Sequence, residues 1–214
     1  MTVYVRRTIG LASALSALAG YIDAIGFISL GGFFVSFMTG NSTRFGIEIA
    51  RGNLMGIAIS GGLLATFVVG VVIGALIAKA AGHWRRAAVL GWVTICLATA
   101  ALFDNLGNLA VSTGALVLAM AAANSVFQRN GEVTIGVTYM TGTLVKMGQQ
   151  IANALTGGPK LAWLRNFTIW FGLALGSVAG AVAYDAVGSL AIWLSAGVSA
   201  VLALGSLSIP AHID

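Results

Sequence analysis

Charged side chains are scarce in this sequence: Asp, Glu, Lys and Arg make up 8% of its 214 residues, while 58% are apolar. Soluble domains carry roughly a quarter charged residues, so no stretch here reads as the core and coat of a water-facing fold. Proline is scarcer still, at two residues, and does little to interrupt the long apolar runs. Cys96 is the only cysteine and lies inside one of those runs, which excludes an intrachain disulfide and leaves the redox compartment open. The histidines, His83 and His212, stand apart near segment ends. No metal-ligand spacing arises, and neither a metal nor a cofactor is expected. Equally absent are a Ser/His/Asp or Cys/His set, a phosphate-cradling P-loop and any deaminase- or zincin-like spacing. An enzyme is therefore not expected.

What the sequence does have is apolar length. Its runs are continuous and rich in Ala, Gly, Leu and Val, and in lipid such runs must satisfy their own backbone groups, which selects helices. A transmembrane barrel would alternate over segments of about ten residues instead. The chain reads as an all-α integral membrane protein, a single membrane domain over residues 1–214 whose first partner is the lipid bilayer. Its formal charge of +5 would suggest nucleic acid in a soluble protein, but the eleven Lys and Arg sit mostly at the ends of apolar runs. They act as topology signals, and no nucleic-acid partner is expected. The N-terminus has the outline of a secretory signal, with Arg6 and Arg7 before an apolar stretch and Ala17-Leu18-Ala19 after it. The run continues past that point to Leu30, so the segment is kept as the first helix.

One stretch organises the rest. Phe34 to Ala50, FVSFMTGNSTRFGIEIA, returns about 102 residues later as GVTYMTGTLVKMGQQIA, Gly136 to Ala152. Val35, Met38, Thr39, Gly40, Gly46, Ile49 and Ala50 recur unchanged, while Ser36/Thr138, Phe37/Tyr139 and Arg44/Lys146 keep their chemistry. Each copy places a short polar core inside an apolar run of about twenty residues, the length of a membrane crossing. Gly40 and Gly142 suit the end of one helix, and the neighbouring Asn41 and Thr143 suit the N-cap of the next. Each copy is therefore expected to be a broken or re-entrant segment, with a new helix starting near Asn41 and near Thr143.

The repeat extends outward. Helices are expected over 8–30, 54–80, 87–103, 109–127, 164–184 and 189–208, with the two TG segments after the first and the fourth. Asp23 falls opposite Asn124, and the Gly70/Gly74 ladder falls opposite Gly172/Gly176/Gly180. These small-residue faces are packing features that join either the two halves or two protomers of a homodimer. Repeat 1 covers about 1–104 and repeat 2 about 105–214. Their loop charges oppose each other: Lys79, Arg85 and Arg86 face Asp185-Ala186-Val187-Gly188, and Arg6 and Arg7 face Asp104. Because basic residues favour the cytoplasmic side, the fold expected is two inverted repeats, each of three transmembrane helices plus one broken TG segment. Both termini then lie in the cytoplasm, with Arg51 the one dissenting charge.

Inversion would bring the N-terminal ends of the two TG helices together near mid-membrane, where inverted-repeat transporters bind substrate. Helix N-termini favour anions. Thr39, Gly40, Asn41, Ser42, Thr43 and Arg44 in one copy, and Thr141, Gly142, Thr143 and Lys146 in the other, are the candidate binding residues. A competing reading makes the TG pairs simple helix caps with locally satisfied hydroxyls. Asp23 lies deep in the first helix without a charged neighbour in sequence. It is either a coupling group, with neutral Asn124 as its counterpart, or a structural partner of Arg44 or of a helix N-terminus. Arg129 with Glu132, and Glu48 with Arg51 or Arg44, are expected as interfacial pairs.

Through GYIDAIGF at Gly20–Phe27, FMTGN at Phe37–Asn41, ANSVFQRNG and YMTGT, essentially the whole chain resembles the YoaK family, bacterial inner-membrane proteins catalogued as a domain of unknown function. Asn124-Ser125 stands where that family tends to have Asn-Ala. The resemblance implies a multi-pass bacterial membrane protein, regarded as a candidate transporter without an established substrate. The functions left in view are a transporter or channel for a small polar, anionic solute, a membrane scaffold, and a lipid-modifying enzyme. A cavity reaching Thr39 and Thr141 favours the first, a solid core the second, and a polar cleft open to headgroups the third.

Overall fold

The computed structural model describes residues 3–129, 132–133 and 135–207. It consists of eight helices: α1 (Val3–Ser29), α2 (Met38–Arg51), α3 (Leu54–Ala81), α4 (Arg85–Asn105), α5 (Leu109–Ala123), α6 (Met140–Leu155), α7 (Leu164–Val187) and α8 (Leu190–Ser206). A 3₁₀ turn at Gly82–Trp84 joins α3 to α4, and another at Asn124–Phe127 extends α5. After it comes a small antiparallel hairpin, β1 (Gln128–Arg129) and β2 (Glu132–Val133). The expected Arg129–Glu132 pair and the far C-terminus lie outside the described side chains and residues.

Four stretches are long and apolar enough to cross a membrane: Arg7–Ser29, Leu54–Asn105, Leu109–Phe127 and Leu164–Val187. The second contains both α3 and α4, which pack together around the Gly82–Trp84 turn. Apolar α8, at 17 residues, is about 26 Å long at 1.5 Å per residue, just under a typical hydrocarbon thickness of about 30 Å. The helices α2 and α6, of 14 and 16 residues, differ in kind. Each is amphipathic and lies along the helix that follows it, α2 on α3 and α6 on α7.

Packing between the halves is governed by small residues. Along α7, Gly172, Gly176 and Gly180 lie against the backbone carbonyls of Ser13, Ala17 and Tyr21 on α1, so close that no Cβ fits. Along α3, Gly70 and Gly74 lie in the same way against Leu118, Ala121 and Ala122 of α5, where a Cβ on Gly74 would sit 2.7 Å from the Ala122 Cα. These are the contacts that small-xxx-small spacing permits, and both ladders are filled within one chain. Ala17 and Leu118 are equivalent in the repeat, as are Tyr21 and Ala122, so the two helix crossings share one register.

The same exchange relates the remaining contacts. Replacing the first four helices by the last four turns α1 on α7 into α5 on α3, α2 on α3 into α6 on α7, α3 on α4 into α7 on α8, and α4 on α5 into α8 on α1, and every one of these pairs is in contact. The helices α4 and α8 pack on each other antiparallel, with Thr94 Oγ1 bonded to Ser199 Oγ at 2.9 Å and the Ser189 hydroxyl donating to Asp104. Tyr21 ties α1 to α8 by donating to the Ala191 carbonyl at 2.9 Å. The core runs between α4 and α5, where Val89, Leu90, Val93, Leu97, Val117, Ala119 and Phe127 are fully buried. Arg86, expected only as a topology charge, is buried too, with its guanidinium 5.9 Å from the Phe127 ring.

The TG segments need a correction. The breaks fall before the Thr-Gly pairs: α2 begins at Met38 and α6 at Met140, so Gly40 and Gly142 sit in their first turns. In the first half the chain reverses at Gly31 and Gly32, with φ of 62° and 95°, a left-handed backbone that glycine adopts without strain. The N-cap positions are Phe37 and Tyr139, neither with a side-chain cap, so Asn41 and Thr143 do not cap these helices.

Candidate functional site

The loop before α2 is held by three polar side chains, each in a different way. Asp23 Oδ1, projecting from α1, accepts the N–H groups of Val35 at 3.0 Å and Ser36 at 2.7 Å, while its Oδ2 accepts the Ser36 hydroxyl. Asn41, fully buried, reaches back to Phe34, taking its N–H at 3.0 Å and donating to its carbonyl at 2.6 Å. Arg44 donates to the Gly32 carbonyl and lies 4.0 Å from the Phe33 ring centroid. The alternative in which Asp23 pairs with Arg44 is thereby replaced: each binds the loop, and each satisfies its own stretch of backbone. A carboxyl group buried in an apolar helix needs such partners, and backbone N–H groups supply them without a counter-charge.

The loop before α6 is held by equivalent residues with weaker means. Asn124 Oδ1 accepts the Thr138 hydroxyl at 3.1 Å, and Ser16, midway along α1, donates to the Val137 carbonyl at 3.0 Å. Asp23/Asn124 and Ser36/Thr138 thus form one contact made twice. A second pair of equivalent acceptors, Glu48 and Gln150, lies further along, with donors that are not equivalent. Glu48, 9% exposed, accepts from Asn53 Nδ2 at 2.6 Å, and Gln150 accepts from Asn166 Nδ2 at 2.8 Å. Glu48 therefore binds the N-cap residue of α3 and forms no ion pair with Arg51 or Arg44 among the described residues.

Between the two loops lies a cavity of about 350 Å³. Its lining pairs across the repeat: Ser36 with Thr138, Phe37 with Tyr139, Met38 with Met140 and Thr39 with Thr141, completed by Phe67 and Gly142. Phe67 is halfway along α3, so the cavity sits near the middle of that helix. The first turns of both α2 and α6 open onto it. Among the described residues the N–H groups of Thr39, Met140, Thr141 and Gly142 have no carbonyl acceptor, and the hydroxyls of Thr39 and Thr141 make no hydrogen bond. The lining carries no charged side chain. Unpaired N–H groups at two helix N-termini put partial positive charge on an otherwise aromatic and thioether-lined space.

Of the residues singled out by sequence, Thr39, Thr141 and Gly142 line this cavity. Gly40 is adjacent but faces the Phe37 and Phe34 rings, whereas an added Cβ on Gly142 would meet nothing within 4 Å. Asn41 and Arg44 serve the loop; Ser42 and Thr43 bond the Met38 and Thr39 carbonyls, and Thr143 bonds that of Tyr139. Lys146 is exposed. Asp23 and Asn124 support the lining from behind through Ser36 and Thr138. The reading missed Phe37, Tyr139, Met38, Met140, Phe67, Ser36 and Thr138 as lining residues. The last two had a signal, since Ser/Thr is one of the few hydroxyl exchanges that the repeat preserves.

The family model described as protein of unknown function (DUF1275) matches residues 11–205. The chain is similar to UPF0700 transmembrane protein RA0705 of Rhizobium meliloti (strain 1021), 34% identical over 207 residues, covering 96% of this chain and 89% of that protein. It is also similar to UPF0700 transmembrane protein YoaK of Bacillus subtilis (strain 168), 28% identical over 155 residues, or 68% of each. No solved structure matches the chain.

Proposed function

The chain belongs to the DUF1275 family of membrane proteins, and on that premise we propose that it is a transporter or channel for a small anionic solute, bound between two inverted halves. The observation that carries the proposal is the single cavity onto which the first turns of α2 and α6 both open, lined by four repeat-related pairs and no acidic side chain. Anions favour helix N-termini, and two such ends sharing one chamber match the broken-helix sites of inverted-repeat transporters. The free Thr39 and Thr141 hydroxyls add a donor on each side.

Inversion is supported by the helix count. Each half holds three helices that run past its short amphipathic one, and an odd number of crossings turns the second half over. In this reading α2 and α6 start near mid-membrane and run back to opposite faces, and the basic turn between α3 and α4 is cytoplasmic along with both termini. The membrane would be the bacterial inner membrane. A chamber of this size favours transport over a scaffold with a solid core, and no catalytic set lines it, which weighs against lipid chemistry.

Two measurements test the reading. With Cys96 replaced by Ser, cysteines at His83 and Asn105, both exposed, are expected to react with an impermeant maleimide from opposite sides. In liposomes, saturable uptake of a small anion is expected from the purified protein and is expected to fall at least tenfold in Thr39→Val/Thr141→Val. Labelling of both turns from one side would overturn the inversion, and unchanged uptake in the double variant would overturn the site.

A further inference from the structure

The helices α4 and α8 are equivalent in the repeat. Each comes after a glycine of positive φ, Gly82 at 53° and Gly188 at 56°, and Val93, Thr94, Leu97 and Ala98 of α4 recur in α8 as Val198, Ser199, Leu202 and Ala203. Thr94 is hydrogen-bonded to Ser199, its own equivalent, so the axis that relates the halves passes between these two side chains. Around that shared point the helices are not alike. On α4, Val89, Val93 and Cys96 are 0%, 0% and 5% exposed, whereas Leu194, Val198 and Val201, in the same places on α8, are 58%, 49% and 68% exposed. The difference lies in the neighbouring helix. While α4 packs along α5, α8 is tied at its start to α1, the equivalent of α5, where Tyr21 donates to the Ala191 carbonyl. Beyond that tie an apolar cavity of about 600 Å³ lies between them, walled by Ala14 and Leu18 of α1, Ala179 of α7 and Leu194 and Val198 of α8.

We propose that α8 is a hinged gate, which closes this cavity by packing on α1 as α4 packs on α5. The repeat itself names the segment that covers the exposed face. Leu194, Val198 and Val201 take the places of Val89, Val93 and Cys96, and Ala14 and Leu18 those of Ala115 and Ala119, which are buried. Of the two equivalent pairs only this one is free to part, because the short turn after Asn105 fastens α4 to α5 whereas α8 and α1 are not consecutive. The hinge is the start of α8, held by the left-handed Gly188, by the Ser189 hydroxyl on Asp104 and by Tyr21 on Ala191. The Thr94–Ser199 contact lies on the axis, so it is kept when α8 takes up the arrangement of α4. Lipid tails are as apolar as these side chains, so the open and closed arrangements differ in packing and carry no hydrophobic penalty, and both can be populated. Closure reaches the solute cavity through α1: Ser16, on the same turns as Ala14 and Ala17, donates to the carbonyl of Val137, beside the lining residue Thr138. The role as a gate rests on the reading of that cavity as a solute site.

The test is disulfide formation across the groove, in the full chain reconstituted in liposomes, with Cys96→Ser, Ala14→Cys and Val198→Cys. Val198 is exposed and Ala14 half-buried, so neither change disturbs the packed core. Under mild oxidation this pair is expected to join at least tenfold faster than a control pair, Ala14→Cys with Leu190→Cys, because Leu190 lies beside the tie at Ala191 and Ala14 is about two turns along α1 from Tyr21. Once the pair is joined, uptake of a small anion is expected to fall at least tenfold, and to return on reduction. Equal rates for the two pairs, or no disulfide in either, would overturn the closure. Labelling of α8 by a phospholipid with a photoactivatable tail, undiminished by oxidation, would overturn it as well, because a lipid tail then fills the groove throughout. A disulfide that forms while uptake is unchanged overturns the gate and leaves the transport reading standing. A disulfide that forms in a protein without uptake of any small anion leaves the closure standing and removes the transport reading.

Discussion

In the first half of this protein an acid, Asp23, holds the loop before α2, and a second acid, Glu48, holds the start of α3. In the second half the equivalent residues are their amides, Asn124 and Gln150; Gln150 makes one bond as Glu48 does, but among the described residues Asn124 leaves two neighbouring N–H groups unpaired. The halves differ again at the Thr-Gly pairs. Gly40 is enclosed by the Phe37 and Phe34 rings, while Gly142 faces open space. One half is self-satisfied and closed around its loop, and the other is left with donors and room. The repeat keeps its packing register while amides stand in its second half where two carboxylates stand in its first.

The largest effects are expected where the halves are still alike. Gly176→Val on α7 and Gly74→Val on α3 push a side chain into the backbone of Ala17 and of Ala122. Overpacking commonly costs about 1–3 kcal/mol, and a collision with main chain along a whole helix crossing is expected to reach at least the top of that range. Both variants are expected to lose the monodisperse peak in size-exclusion chromatography after detergent extraction. Gly197→Val, with nothing within 4 Å of its Cβ, is expected to keep it. A difference between the two ladders would break the equivalence of the crossings.

Next in size is the contrast between the two clamps. Asp23→Ala removes the acceptor of two N–H groups and a hydroxyl, whereas Asn124→Ala removes that of one hydroxyl and frees the Met120 carbonyl. At about 1–3 kcal/mol for each buried group left unpaired, Asp23→Ala is expected to be the more destabilising by about 2 kcal/mol or more, read as the difference in Tm. Equal losses would mean that the carboxylate does no more for its loop than the amide does.

How much of this could be read in the sequence follows from what each feature depends on. The helices over α3, α4, α5 and α7 were legible because apolar length is a local property, and the repeat was legible because identical residues recur at one spacing. The pairing of Asp23 with Asn124 was found from that alignment, and the structure gives both the same task. The start of α2 was misread by a few residues because Thr-Gly-Asn has the composition of a cap. The real break depends on Gly31 and Gly32 turning left-handed and on Asn41 reaching back to Phe34, a contact across seven residues that no local rule supplies. Arg44 looked like a site residue beside its equivalent, Lys146. Its engagement with Gly32 and Phe33 depends on where the loop returns, whereas Lys146 is exposed. Phe67 entered the lining from α3, whose sequence there is apolar apart from Thr66 and gives Phe67 no mark of its own.

A smaller effect sharpens the contrast at the cavity itself. Gly142→Ala adds a methyl group to open space at the end of α6 and Gly40→Ala adds one against two rings. The first is expected to change Tm by less than about 0.5 kcal/mol equivalent while weakening anion binding several-fold by titration calorimetry. The second is expected to lower stability by about 1 kcal/mol with the smaller change in affinity. The reverse pattern would place the solute in the first half.

The central claim is that the first turns of α2 and α6, from opposite halves, face one solute-filled chamber. It is tested most directly by placing cysteines at Thr39 and Thr141 in a Cys96→Ser background and treating membranes with a short bifunctional maleimide, then cleaving the chain between the halves. The account predicts that the two fragments stay joined, that the joining slows when a small anion is present, and that a control pair at Thr39 and Gly157, a glycine in the turn after α6, is not joined. Fragments that separate, or a cross-link indifferent to every anion tried, would contradict it.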